Sequence, residues 1–89
     1  MALRLPADWM KPIDDRLLEY LDAEGTATPK SIADDSRIDY DRQYIGVRLR
    51  TLQETGLIEK VGRGVYRITD RGQGYLAGVE DLREEPEPE

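Results

Sequence analysis

Between Asp41 and Thr69 the chain demands a helix that stops at one glycine and turns at once into a tight hairpin. Asp41 is a good N-cap, and Gly56 suits a C-terminal stop. At about 3.6 residues per turn, Ile45, Leu49 and Leu52 fall on one stripe, a core-facing face. Beyond Gly56, strands of about 57–61 and 65–69 flank a Gly62-Arg63-Gly64 loop. In that register Val61 faces Val65, Lys60 faces Tyr66, Glu59 faces Arg67 and Ile58 faces Ile68. Valine then meets valine, isoleucine meets isoleucine and acid meets base, as cross-strand neighbours prefer.

A helix followed directly by a two-stranded wing is the sequence shape of a winged helix-turn-helix. There the helix enters the DNA major groove, and the wing tip touches the neighbouring backbone or minor groove. The remaining segments fit that frame. Residues 12–24 read as a first helix, with Pro12 in its first turn and Asp14 and Asp15 near its N-terminus. Ile13, Leu17, Leu18 and Leu21 make its apolar face, and Gly25 stops it. Thr26 to Thr28 suits a short strand, then Thr28-Pro29 an N-cap and first turn for a helix over about 29–35. Ser36 to Tyr40 is the turn, anchored by Ile38. Asp70 can cap a last helix over about 71–79, which Gly72, Gly74 and Gly78 each weaken by about 1 kcal/mol relative to Ala. The expected fold is α+β: a winged helix-turn-helix with a three-helix core, a two- to three-stranded wing and a short C-terminal helix. Its domain spans 12–79. An N-terminal arm (1–11) precedes it, either packed on its own domain or reaching a second subunit. An acidic, proline-broken tail (80–89) is expected to be disordered and removable without unfolding the domain.

Composition narrows the chemistry. With neither Cys nor His, the chain lacks disulfides, all Cys- or His-based metal sites, the usual general base and the thiol nucleophile. Asp14-Asp15 and Asp34-Asp35 are adjacent carboxylates, but i, i+1 neighbours on a helix do not face each other. Gly62-x-Gly64 and Gly72-x-Gly74 lack the strand-loop-helix context of phosphate loops. The expectation is no enzyme, no cofactor and no metal. No apolar run approaches the roughly 20 residues that span a bilayer, and no signal-peptide pattern opens the chain. A soluble cytoplasmic protein without membrane or small-molecule partners is therefore expected.

Charge is distributed unevenly. The net charge is -6, from 19 acids and 13 bases, ten of them Arg. Residues 1–35 carry -4, 79–89 carry -5 and 68–78 are neutral, whereas 36–67 carry +3. The only net-positive segment is the proposed DNA-reading unit. High acid with little Lys also resembles proteins of salt-loving archaea.

On the third helix the face opposite the core stripe holds Gln43, Val47 and Arg50, bordered by Gly46 and Tyr44. Gln pairs with adenine, Arg is bidentate to guanine and Val meets a thymine methyl, while Gly46 permits close approach. Gln43, Val47 and Arg50 are thus the base-reading candidates. Arg42 and Arg48 flank the stripe towards phosphate. Lys30 and Ser31 near the second helix start, Arg37 and Tyr40 in the turn, Tyr44, and Arg63 at the wing tip complete the backbone or minor-groove candidates.

Residues 9–76 also resemble a known group. WMKPIDDRLLEYLDAEG, TPKSIADDS and YDRQYIGVRLRTLQETGLIEKVGRGVYRITDRGQGYL are similar to the small haloarchaeal winged-helix proteins related to the halophage phi-H repressor. That resemblance implies a repressor-like DNA-binding domain, dimeric on a palindromic double-stranded site. Trp9, Met10, Tyr75 and Leu76 are the dimer candidates. The competing reading is a winged helix used as a protein-interaction module without DNA affinity, which the acidic net charge favours.

Overall fold

The computed structural model describes residues 3–88. In chain order it contains α1 (Pro12–Glu24), β1 (Thr26–Ala27), α2 (Pro29–Ala33), α3 (Arg42–Glu54), β2 (Ile58–Gly62), β3 (Val65–Ile68) and α4 (Asp70–Leu76). The three strands form one antiparallel sheet in the order β1-β3-β2.

Local chemistry sets each boundary. The Asp41 carboxylate accepts the Tyr44 N–H at 2.9 Å and caps α3. Gly56, at φ 79, ends that helix and lets the Leu57 N–H return to the Leu52 carbonyl at 3.1 Å. The helix therefore leads into the wing with only three residues between them. Thr28 caps α2 through its hydroxyl, which accepts the Ser31 N–H at 3.0 Å. Thr69, rather than the expected Asp70, caps α4: its hydroxyl accepts the Gly72 N–H at 3.2 Å, and Asp70 is already helical.

The hairpin keeps three of the four expected pairs: Ile58 with Ile68, Glu59 with Arg67 and Lys60 with Tyr66. The fourth differs. Gly62 rather than Val61 lies opposite Val65, so Val61 forms a bulge and stands 42% exposed. The turn is then Arg63-Gly64, with Gly64 at φ 68 supplying the left-handed residue.

One core gathers Ile13, Leu17, Leu18 and Leu21 from α1, Ile32 from α2, Ile45, Leu49 and Leu52 from α3, and Leu57, Ile58 and Tyr66 from the wing. It also contains two residues outside the expected domain, Ala7 and Leu82. The segment read as a disordered tail is folded back onto the arm. Leu5 pairs in parallel with Asp81, the Leu82 N–H donates to the Leu5 carbonyl at 2.9 Å, and Leu82 is fully buried. The Trp9 indole donates to the Glu85 carbonyl at 3.1 Å, and Arg71 pairs with Glu80 and Glu85. One apolar residue with backbone and ionic partners thus outweighs a disorder-prone composition. Glu89 lies outside the described residues, as do the first two residues of the arm.

Candidate nucleic-acid interface

Helix α3 presents its two faces as its periodicity requires. Ile45, Leu49 and Leu52 are fully buried, while Arg42, Gln43, Val47 and Arg50 are exposed. Val47 is 49% exposed, among the few large apolar side chains left in solvent. Arg42, Gln43, Gly46, Val47 and Arg50 line one groove, whose other wall is Pro29 at the start of α2. The sequence pattern did not single out Pro29 as a site residue. Its place in the groove follows from the angle between α2 and α3, which no local pattern encodes.

Pairing divides the arginines. Arg4, Arg37, Arg48, Arg67, Arg71 and Arg83 each sit within ion-pair distance of a carboxylate. Arg16 donates to the Arg37 carbonyl. Among the described residues, Arg42, Arg50 and Arg63 have neither kind of partner. Two lie on α3 along the groove and the third at the exposed wing tip. In an acidic chain the arginines left without a partner are thus found on the exposed side of α3 and at the wing tip.

Several candidates are differently placed. Arg48, read as a phosphate contact, is buried against α1. Its Nε and Nη2 donate to the two Asp14 carboxylate oxygens at 2.9 and 2.6 Å, and Asp14 is itself fully buried. The same Asp14 accepts the Lys11 N–H at 2.9 Å, so its lone pairs are well used. This ion pair holds the guanidinium in the α1–α3 interface, and Arg48 is withdrawn from the phosphate set. Tyr75, read as a dimer contact, is 1% exposed and donates its hydroxyl to Asp15 at 2.6 Å. Desolvation by burial, aided by Asp15, raises its phenol well above the ordinary range. It serves its own domain instead. Trp9, Met10 and Leu76 pack partly against that core and are only half-buried.

The turn residues are exposed but largely committed. Arg37 forms a two-point contact with Asp35, lies 3.6 Å from Glu24 and stacks 5.2 Å above the Tyr20 ring centroid. The Arg37 hydrogen bonds hold the Asp35 carboxyl far below its ordinary range. Lys30 pairs with Asp34 at 2.7 Å. The Ser31 hydroxyl accepts the Thr28 N–H, closing the capping box. Tyr40 is 36% exposed, with its ring 5.8 Å from that of half-buried Tyr44. Lys60 adds a cation 5.9 Å from the Tyr66 ring on the wing.

Among the described residues no His, Cys, Asp or Glu group is arranged to hold a metal ion. No helix there is long and apolar enough to cross a membrane.

Comparison with known proteins agrees with this geometry. A family model described as a winged helix-turn-helix phage repressor matches residues 1–87. Among solved structures, the chain is similar to the PhiH1 repressor-like protein from Haloarcula marismortui. The two are 34% identical over 98% of this chain and 99% of that one, with a TM-score of 0.91. No curated protein matches.

Proposed function

This chain belongs to the winged helix-turn-helix phage repressor family, and from that premise we propose that it is a sequence-specific DNA-binding transcriptional regulator acting as a repressor. Helix α3 enters the major groove, with Gln43, Val47 and Arg50 towards base edges. Arg42 and the wing-tip Arg63 meet phosphate or the adjoining minor groove, with Lys30, Ser31, Arg37, Tyr40 and Tyr44 at the periphery. It works in the cytoplasm as a homodimer on a palindromic site. Half-buried Trp9, Met10 and Leu76 are the available contacts for a second copy.

The observation that carries this reading is the location of the unpaired arginines. Six others are paired with neighbouring acids, whereas Arg42 and Arg50 line the groove with Gln43 and the exposed Val47, and Arg63 stands at the wing tip. Charges left unpaired along a helix and its wing suit a phosphate backbone flanking a groove. The test is selection from a random-sequence duplex pool at high KCl. Enrichment of a palindrome is expected and would supply the half-site spacing. A folded protein that enriches nothing at any salt would replace this reading with the protein-interaction module that net charge -6 favours.

A further inference from the structure

The glycines of this chain divide by what a side chain would strike. A Cβ on Gly72 would stand 2.3 Å from the Leu57 carbonyl oxygen and 2.6 Å from an Ile68 carbon, so the fold itself excludes one. A Cβ on Gly46 would meet nothing within 4 Å, and its φ is not left-handed. Gly46 nevertheless occupies the middle of α3, where glycine disfavours the helix relative to alanine. Neither packing nor backbone conformation requires glycine there. The space is left open on the exposed groove that Pro29 and the exposed Val47 also line.

We propose that Pro29, Gly46 and Val47 form a seat for the 5-methyl group of a pyrimidine in the major groove. The seat rests on the DNA-reading assignment above and names the chemical group it takes. Three features support this occupant. Pro29, Gly46 and Val47 are the apolar part of the groove's lining, and Gly46 leaves room there for a methyl. The groove is flanked by Gln43 and the unpaired Arg42 and Arg50, which suits an anionic duplex rather than an apolar peptide. The 5-methyl of thymine is the apolar group that DNA displays in its major groove beside the donors and acceptors Gln and Arg read. A 5-methylcytosine offers the same group at the same ring position.

The experiment uses the full chain and the duplex enriched in the selection above. Each thymine is replaced singly by deoxyuridine, which removes only the methyl. One position per half-site is expected to lose about four- to tenfold in affinity, the size of a buried methyl contact. The Gly46→Ala variant fills the seat. It is expected to melt higher by roughly 4–8 °C, from helix propensity alone. Its preference for thymine over deoxyuridine at that position should fall to about onefold. The opposite signs separate a ligand seat from a folding defect. Replacing the T·A pair by 5-methylcytosine·G distinguishes the sources: recovered binding assigns the seat to the methyl on either base, and continued weakness assigns it to thymine with its adenine partner. Enrichment of a site at which no deoxyuridine substitution weakens binding overturns the seat while leaving DNA reading intact. So does a Gly46→Ala protein that still discriminates thymine. Absence of any enriched site overturns both.

Discussion

At the scale of single residues, two arginines of α3 have opposite fates. Arg48 and Arg50 are two apart in sequence, and both read as DNA contacts from the helical wheel. Arg48 is buried because Asp14, 34 residues earlier, stands opposite it across the α1–α3 interface. Nothing local to either residue reveals that meeting. Removing one partner leaves the other charge buried and unpaired, so Asp14→Ala is expected to cost about 3–5 kcal/mol. The double change Asp14→Leu with Arg48→Met should recover much of that loss, and chemical denaturation of the variants checks it. Gly72 gives a second residue-scale expectation. Its helical neighbours suggest alanine would help, yet contact with Leu57 and Ile68 makes Gly72→Ala destabilising by about 1–3 kcal/mol, measurable as a lowered denaturation midpoint.

At the scale of elements, the departure with most consequence is the C-terminal segment. Six acids and two prolines in residues 79–89 argue for disorder, and composition alone cannot weigh one well-placed leucine against them. Leu82 is fully buried in the core and tied to the arm through the Leu5 carbonyl, so truncation after Val79 is expected to destabilise the fold rather than leave it untouched. Leu82→Ala should reproduce about 2–5 kcal/mol of that effect. The segment also carries a pH response. Hydrogen bonds from Arg83 hold the Asp81 carboxyl down to about 2, against an ordinary 3.8. A carboxyl depressed in the folded state binds fewer protons there than when unfolded. Its contribution is complete above about pH 3.8 and disappears as pH falls towards 2. NMR titration of the Asp81 carboxyl carbon, with and without Arg83→Ala, reads this directly. The hairpin shows the milder kind of departure. Three cross-strand pairs follow from residue type, whereas the bulge at Val61 depends on how the Arg63-Gly64 turn closes, and strand composition leaves that open.

At the scale of the whole molecule, net charge -6 is compatible with the proposed DNA-reading role because of where ion pairs form. Acids on α1 and the C-terminal segment, with Asp35 and Glu59, pair with most arginines locally, and among the described residues the arginines left without a carboxylate or carbonyl partner lie on α3 and at the wing tip. Arg63→Ala is expected to weaken binding to all duplexes by similar factors and to reduce the salt slope by about one. Arg50→Ala should instead relax preference at one base pair, at about 1–3 kcal/mol. Titrations against matched and mismatched duplexes separate these two patterns. Equal losses on every duplex from Arg50→Ala would move that residue from base edge to backbone.

Sequence alone determined what depends on neighbours along the chain. Helix periodicity, the caps at Thr28 and Asp41, the stop at Gly56 and the pairing of Glu59 with Arg67 are all short-range, and together they specify a winged helix-turn-helix. It also marked the outer face of α3, because a helix that buries Ile45, Leu49 and Leu52 must expose the residues opposite. Only the tertiary structure decided which charges are free and which polar groups are enclosed. Arg48 with Asp14, Tyr75 with Asp15, and Leu82 with Leu5 each join residues at least 34 positions apart. Such meetings are set by the angles at which elements pack, a property of the assembled core rather than of any stretch of chain.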